Sequence, residues 1–383
     1  METEWISLSE PDIGEAELGL VNAALQSREL SGAGLVQAFE REFAAYVGRR
    51  HAIAVSSGTL GMLATLLAMK PEPGAEIIVP AYSWHHCAHA VVLAGLAPVL
   101  ADIDYWSGCL DITKLAERVT PRTRALIACN ANGHPAAWPQ LRALAEERAL
   151  ALIEDSSEAI GSRLGGRLVG SFGDVAIFDF SQPGALCCGE GGMVVTDDEM
   201  LASEIAYRRA RRIKDRISIS VGSRVPLQCG MSEVTAAIGL MQLKRLDGIL
   251  ARRKRVEAWY HEQVQTFEGI KPPYIADGVC EIHWMLYVIH LGKRFTLSAR
   301  NQIVEDMADA GAIEIAPYCV PLQAEFHFQQ LGFARGQFPI TDRIADRALA
   351  LPFHGNLDDD QIKFIVKTLK EACTNVGAGV PIY

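Results

Sequence analysis

Between residues 35 and 245 the chain alternates short apolar runs with stretches whose apolar positions recur every three or four residues. The runs Ala52–Val55, Ile77–Val79, Val99–Ala101, Ala125–Ala128, Leu150–Ile153, Val175–Phe178 and Met193–Val195 predict strands. They are apolar at consecutive positions, as strands covered on both faces of a mostly parallel sheet must be. The stretches between them predict helices over Leu60–Ala68, 84–94, 112–118 and 138–148. Strand–helix alternation predicts a doubly wound α/β domain, with functional residues beyond the carboxyl ends of the strands. A helical pattern over roughly 231–266 then leads to a smaller C-terminal α/β region. There Met285–His290 and Ile313–Ala316 predict strands and Asp359–Ala372 a closing helix. The expected division is a large domain over 1–245 and a small one over 246–383.

Composition narrows the class of function. The 383 residues are 49% hydrophobic and 21% charged, with a formal net charge of -10, which disfavours nucleic-acid and anionic-membrane surfaces as partners. No apolar run approaches the roughly 20 residues that span a bilayer. The start, Met1-Glu2-Thr3-Glu4, is acidic and lacks an apolar signal core, and nine cysteines follow no framework spacing. Reduced thiols and a cytoplasmic location are therefore expected.

Several segments place chemistry at strand ends. In Val55-Ser56-Ser57-Gly58-Thr59 a strand runs into a helix, so the backbone N–H groups of Gly58 and Thr59 point where an anion would sit, although Ser-Gly-Thr is also a plain N-cap. Trp84 follows another strand and would stack on a flat ring or pack in the core. His85 and His89 are four apart on one helix face, a spacing that suits a metal, but no third ligand is implied and no metal is expected. A strand also ends in Glu154-Asp155. A carboxylate there can hold a protonated heterocycle nitrogen or cap the next helix.

Together with Leu30-Ser31-Gly32-Ala33-Gly34, "VLADID", "IEDSSEAIG", "GSFGDVAIF", "GEGGMVVTDD" and "LPFHGNLDDDQI", these segments resemble the DegT/StrS-type sugar aminotransferases. The resemblance runs over almost the whole chain. It implies a fold-type-I pyridoxal-phosphate protein and a homodimer with shared sites. By resemblance, Gly58 and Thr59 hold the cofactor phosphate, Trp84 covers its ring and Asp155 meets the ring nitrogen.

The resemblance also exposes departures. The segment Phe178-Asp179-Phe180-Ser181-Gln182-Pro183-Gly184 places Gly184 where the family has its Schiff-base lysine, and Asp179 where it has a phosphate-binding serine. Glu158 replaces a glutamine. Gln228 stands at the asparagine that reaches the neighbouring subunit's phosphate. Lys214, in a basic segment, is the nearest lysine that could swing in. A carboxylate beside a phosphate repels it, so pyridoxal or pyridoxamine phosphate is expected to bind doubtfully and not covalently.

The expected site is acidic, with Asp155, Glu158, Asp179 and Ser181 carrying acid–base work and His85, Gly184, Cys187 and Glu190 facing a sugar-like substrate. Crowded carboxylates raise at least one pKa among them. Cys187, Cys188, Ser181 and the histidines at 85, 86 and 89 are candidate nucleophiles or proton carriers, with small packing residues the favoured reading of the two cysteines. Three functions stay open: cofactor-independent or pyridoxamine-dependent chemistry on a sugar-, amino-sugar- or aminocyclitol-like intermediate, a non-catalytic partner or ligand-binding protein, or a metal site.

Overall fold

The computed structural model describes residues 5–84, 86–209, 225–265, 267, 269–275 and 279–376. Seven strands form the main sheet: β1 (His51–Val55), β2 (Glu76–Pro80), β3 (Ala97–Ala101), β4 (Thr123–Cys129), β5 (Ala151–Asp155), β6 (Val175–Asp179) and β7 (Gly192–Thr196). Their spatial order is β1-β7-β6-β5-β4-β2-β3. All seven strands expected from the apolar runs are present. The sheet is not wholly parallel, because β7 pairs antiparallel with both β1 and β6. The apolar run at 193–195 gives no hint of this reversal, since a strand covered on both faces looks the same in either direction.

Helices cover the two faces. They include α1 (Glu15–Leu25), α2 (Gly34–Val47), α3 (Gly58–Met69), α4 (His86–Leu93), α5 (Trp138–Glu147) and α6 (Glu199–Arg209). Ser57 starts α3 by accepting a hydrogen bond from the Leu60 N–H at 3.2 Å. The N-terminus of α2 is satisfied from a distance of 200 residues: the buried Glu233 carboxylate accepts from the N–H groups of Ala33 at 2.6 Å and Leu35 at 2.8 Å. Gly48 ends α2 in the left-handed region at φ 79, where a side chain would be strained.

Glu233 opens α7 (Glu233–Val264), whose cap is Ser232. This helix carries the expected domain boundary at 245 in its interior and leads to a second sheet. That sheet contains β8 (Ile270–Lys271), β9 (Tyr287–Leu291), β10 (Ala316–Pro317) and β11 (Ala348–Leu351), in the order β8-β9-β11-β10. The strand expected over 313–316 is reduced to two residues at its end, with Ile313 instead bridging to Ile6 near the N-terminus. Helices α8 (Leu297–Gly311) and α9 (Asp359–Asn375) cover this sheet, and Ile303, Met307, Ile362, Ile365 and Leu369 bury their side chains in its core. No helix among the described residues is long and apolar enough to cross a membrane.

Candidate active site

The carboxyl ends of β5 and β6 and the N-terminus of α3 converge on one cavity of about 240 Å³. Its wall is built from Ser57 and Thr59 of the α3 start, Trp84 and His86 of the α4 start, and Ser157 and Glu158 beyond β5. Asp179 ends β6, Ser181, Gln182, Pro183 and Gly184 follow it, and Glu190 and Met285 complete the wall. Glu158, Asp179, Ser181, Thr59, Trp84, Gly184 and Glu190 thus share one cavity, and Asp155 contacts two of its lining residues, His86 and Ser157.

Strand alternation separates the two acids at the end of β5. Glu154 is fully buried in a cage of donors and serves the fold. Asp155 points the other way. Its Oδ1 accepts from the Ser157 hydroxyl at 2.6 Å, and its Oδ2 accepts from the Cys87 thiol at 3.0 Å and lies 3.0 Å from His86 Nε2. Burial opposes ionisation, but His86, Ser157 and Cys87 outweigh it and hold the Asp155 carboxyl well below the usual range. For His86, burial pulls the pKa down, whereas Asp155 foremost, then Asp179 and Glu158, push it up to about 9. The pair is an imidazolium–carboxylate contact at neutral pH.

Glu158 is the acid that titrates in the working range. Burial raises its carboxyl to about 7 against the pull of its two donors, the Tyr318 hydroxyl and the Asn132 N–H at 2.5 Å, and Asp155 adds to the rise. The sequence anticipates that crowding among the acids raises one pKa. It does not show that burial is the main cause, nor that Tyr318, 160 positions away, supplies the partner.

Asp179 closes the other end. Its Oδ2 accepts from the Gly58 N–H at 2.6 Å, and its Oδ1 accepts from the Ser181 N–H at 2.9 Å and the Ser181 hydroxyl at 2.5 Å. Gly58 suits this approach, because a Cβ there would lie 2.8 Å from the Asp179 side chain.

Two expected residues lie elsewhere. Cys187 is 5% exposed, does not line the cavity, and burial pushes its thiol up, so it is placed as packing and not as substrate contact. Gln228 is exposed, in the left-handed region at φ 56, and away from its own chain's cavity. His85 and Lys214 lie outside the described residues. Ser157 and Tyr318 are the contributors missing from the expected set, whereas His86 is one of the histidines the sequence offers as a proton carrier. The position of His86 at a helix start beside Trp84 is its sequence signal.

The metal-binding spacing resolves differently from its sequence form. His89 Nε2 lies 3.0 Å from Glu325, and its ring stacks on Phe328. His86, Cys87 and Asp155 do form a compact trio. The Cys87 thiol donates to Asp155 at 3.0 Å, His86 Nε2 lies 3.0 Å from the same carboxylate, and the three potential ligand atoms all lie within 4.8 Å of one another.

The DegT/DnrJ/EryC1/StrS aminotransferase family model matches residues 11–370. The chain belongs to this family. It is 31% identical over 378 residues to the spore coat polysaccharide biosynthesis protein SpsC of Bacillus subtilis, covering 96% of this chain and 97% of that one. It is 32% identical over 370 residues to the GDP-perosamine synthase of Caulobacter vibrioides, covering 96% and 98%. The fold is that of the sugar aminotransferase Spr1654 of Streptococcus pneumoniae, solved in its PMP form, with a TM-score of 0.91 at 24% identity and coverage of 97% and 98%.

These findings correct the expectation that a pyridoxal-type cofactor is doubtful. The family is one of aminotransferases, and DesV of S. venezuelae, 29% identical with a TM-score of 0.84 and coverage of 93% of each chain, is solved in complex with a ketimine intermediate. Use of such a cofactor is what membership implies. The residues at hand suit it at both ends: an ionised, buried Asp155 for a ring nitrogen, and the α3 N-terminus with Ser181 for an anion. Asp179 does not remove those donors. It engages them.

The titrations predict a pH effect on stability. His86 has a folded pKa of about 9 against an unfolded value near 6.5, so its contribution is full below about 6.5 and is lost as pH rises through 9. Chemical unfolding between pH 6 and pH 9.5 is expected to show stability falling, by about 3 kcal/mol at most. His86→Gln is expected to flatten that stretch of the curve. An unchanged slope in the variant would assign the loss to other groups.

Proposed function

We propose that this family member transforms a nucleotide-linked keto sugar with a pyridoxamine-type cofactor, in a site where residue 184 supplies no amine and Glu158 carries the proton transfers. The observation that carries this reading is Glu158 itself. It is 7% exposed, faces the same cavity as Trp84 and Gly184, and is raised to about 7, where it gives and takes a proton with equal ease. Support for the lysine-free site comes from Gly184. It lines the cavity, and a Cβ added to it would meet only the Ser181 and Leu186 carbonyl oxygens, at 3.2 and 3.4 Å.

When bound, a pyridoxamine-type group supplies an amine and an electron sink. The chain's own residues do the rest. Asp155, kept ionised by His86, Ser157 and Cys87, would hold a ring nitrogen protonated, and Trp84 covers a face of the cavity. Tyr318 and Asn132 orient the Glu158 carboxyl, so its proton is presented from a fixed direction. The sugar-nucleotide substrate class is supported by the perosamine synthase relative, and a role in natural-product or sugar-nucleotide biosynthesis follows from it. The reading includes a homodimer in which the exposed Gln228 serves the neighbour's site.

The test is turnover of nucleotide-linked keto sugars by protein loaded with pyridoxamine phosphate, with products identified by mass. Conversion is expected, and Glu158→Gln is expected to lower kcat about a hundredfold, the ordinary size of an acid–base contribution. Turnover indifferent to Glu158→Gln would remove the assignment. Absence of any conversion across a panel of such sugars would remove the function.

A further inference from the structure

The two ends of the cavity already hold the charges that a pyridoxamine phosphate would bring. At the Asp155 end stands a planar, N–H-bearing cation, the His86 ring, with Nε2 3.0 Å from Oδ2. At the α3 end stands an anion, the Asp179 carboxylate, accepting the Gly58 N–H at 2.6 Å. Both side chains line the one cavity. We infer that His86 and Asp179 are resident stand-ins for the ring nitrogen and the phosphate, so that this site takes up its cofactor by exchanging them out, and that Asp179 in particular sets its affinity for phosphorylated ligands.

The chemistry of each end supports the exchange. A protonated pyridine nitrogen and an imidazolium are both flat cations offering an N–H to a carboxylate. Asp155 therefore stays paired whether His86 or a ring is opposite it, which matters because an unpaired buried charge is costly. At the other end, a phosphate placed beside Asp179 would meet a like charge. Turning Asp179 away removes that repulsion and frees three donors, the Gly58 N–H, the Ser181 N–H and the Ser181 hydroxyl, for the incoming anion. Ser157 links the two ends, donating through its hydroxyl to Asp155 and accepting from the Asp179 N–H at 3.0 Å.

The inference rests on the cofactor use proposed above and is tested by binding, not turnover. Titration of the protein with pyridoxamine phosphate and with unphosphorylated pyridoxamine, read by tryptophan fluorescence and calorimetry, separates the two ends. Asp179→Ser is expected to bind pyridoxamine phosphate at least about tenfold more tightly, since the apparent Kd is the intrinsic Kd divided by the fraction of sites already open. Its affinity for pyridoxamine is expected to stay unchanged. His86→Asn is expected to gain affinity for both ligands. Asp179→Asn, which keeps the shape and removes the charge, serves if the serine variant folds poorly and is expected to gain in the same direction.

Unchanged or weaker binding of pyridoxamine phosphate by the Asp179 variants overturns the inference, as does an equal gain for both ligands. Melting temperatures without ligand identify a merely structural role, which would lower stability and leave affinity alone. Tighter binding without sugar turnover would sustain this inference and sink the proposed function. Turnover by the parent with no affinity gain in the variants would do the reverse.

Discussion

Glu154→Ala is expected to destabilise the large domain by about 4 kcal/mol or more, the cost of stripping a buried network of its shared acceptor. Glu154 is fully buried and accepts five hydrogen bonds. They come from the Asn130 amide at 3.0 Å, the Ser156 hydroxyl at 2.9 Å, and the N–H groups of Gly170, Phe172 and Gly173 at 2.5, 2.8 and 3.0 Å. Three of these donors are backbone groups of the turn that leads into β6. Without the carboxylate they have no replacement acceptor and no ready water. Glu154→Gln keeps the shape and one acceptor oxygen, so it is expected to lose about half as much. Denaturant unfolding of the three proteins measures both. A loss below about 1 kcal/mol for the alanine variant would mean that the turn finds water or other acceptors.

His86→Leu is expected to cost about 3 kcal/mol at pH 7, the penalty for leaving a buried carboxylate without its cation. Asp155 would keep the Ser157 hydroxyl and the Cys87 thiol, which is why the cost is not larger. This is the same interaction that makes stability pH-dependent, so the two effects are one quantity measured twice. The difference between parent and variant is therefore expected to shrink as pH rises through about 9, where His86 loses its proton. Combining His86→Leu with Asp155→Asn is expected to recover much of the loss, because the stranded charge is then gone. A double variant no more stable than His86→Leu alone would show that packing, not charge, makes the histidine matter.

The contrast between Glu154 and Asp155 shows where reading from sequence succeeds and stops. Both were visible as acids at the end of an apolar run, in the place where α/β sheets carry function. That one faces a donor cage and the other a cavity follows from strand alternation, but which is which depends on what packs against each face. The three backbone donors of Glu154 come from residues 16 to 19 positions later, in a turn that has no periodic signature.

Sequence by itself determined the seven strands of the main sheet, the long helix at 233–264, the family, and the set of strand-end residues that line the cavity. Those signals are local: a period of two or none in a buried strand, a period near 3.6 in a helix, glycine and serine at the turns. Tertiary structure alone decided that Asp179 reaches the Gly58 N–H across 121 positions, that His86 settles against Asp155, and that Tyr318 and burial together place Glu158 near neutrality. It decided as well that Cys187 is packing and that Gln228 is exposed and does not line its own chain's cavity. These outcomes turn on which groups share a desolvated volume. Desolvation and charge act through space, at strengths set by burial and separation, and neither quantity is written in the order of residues along the chain.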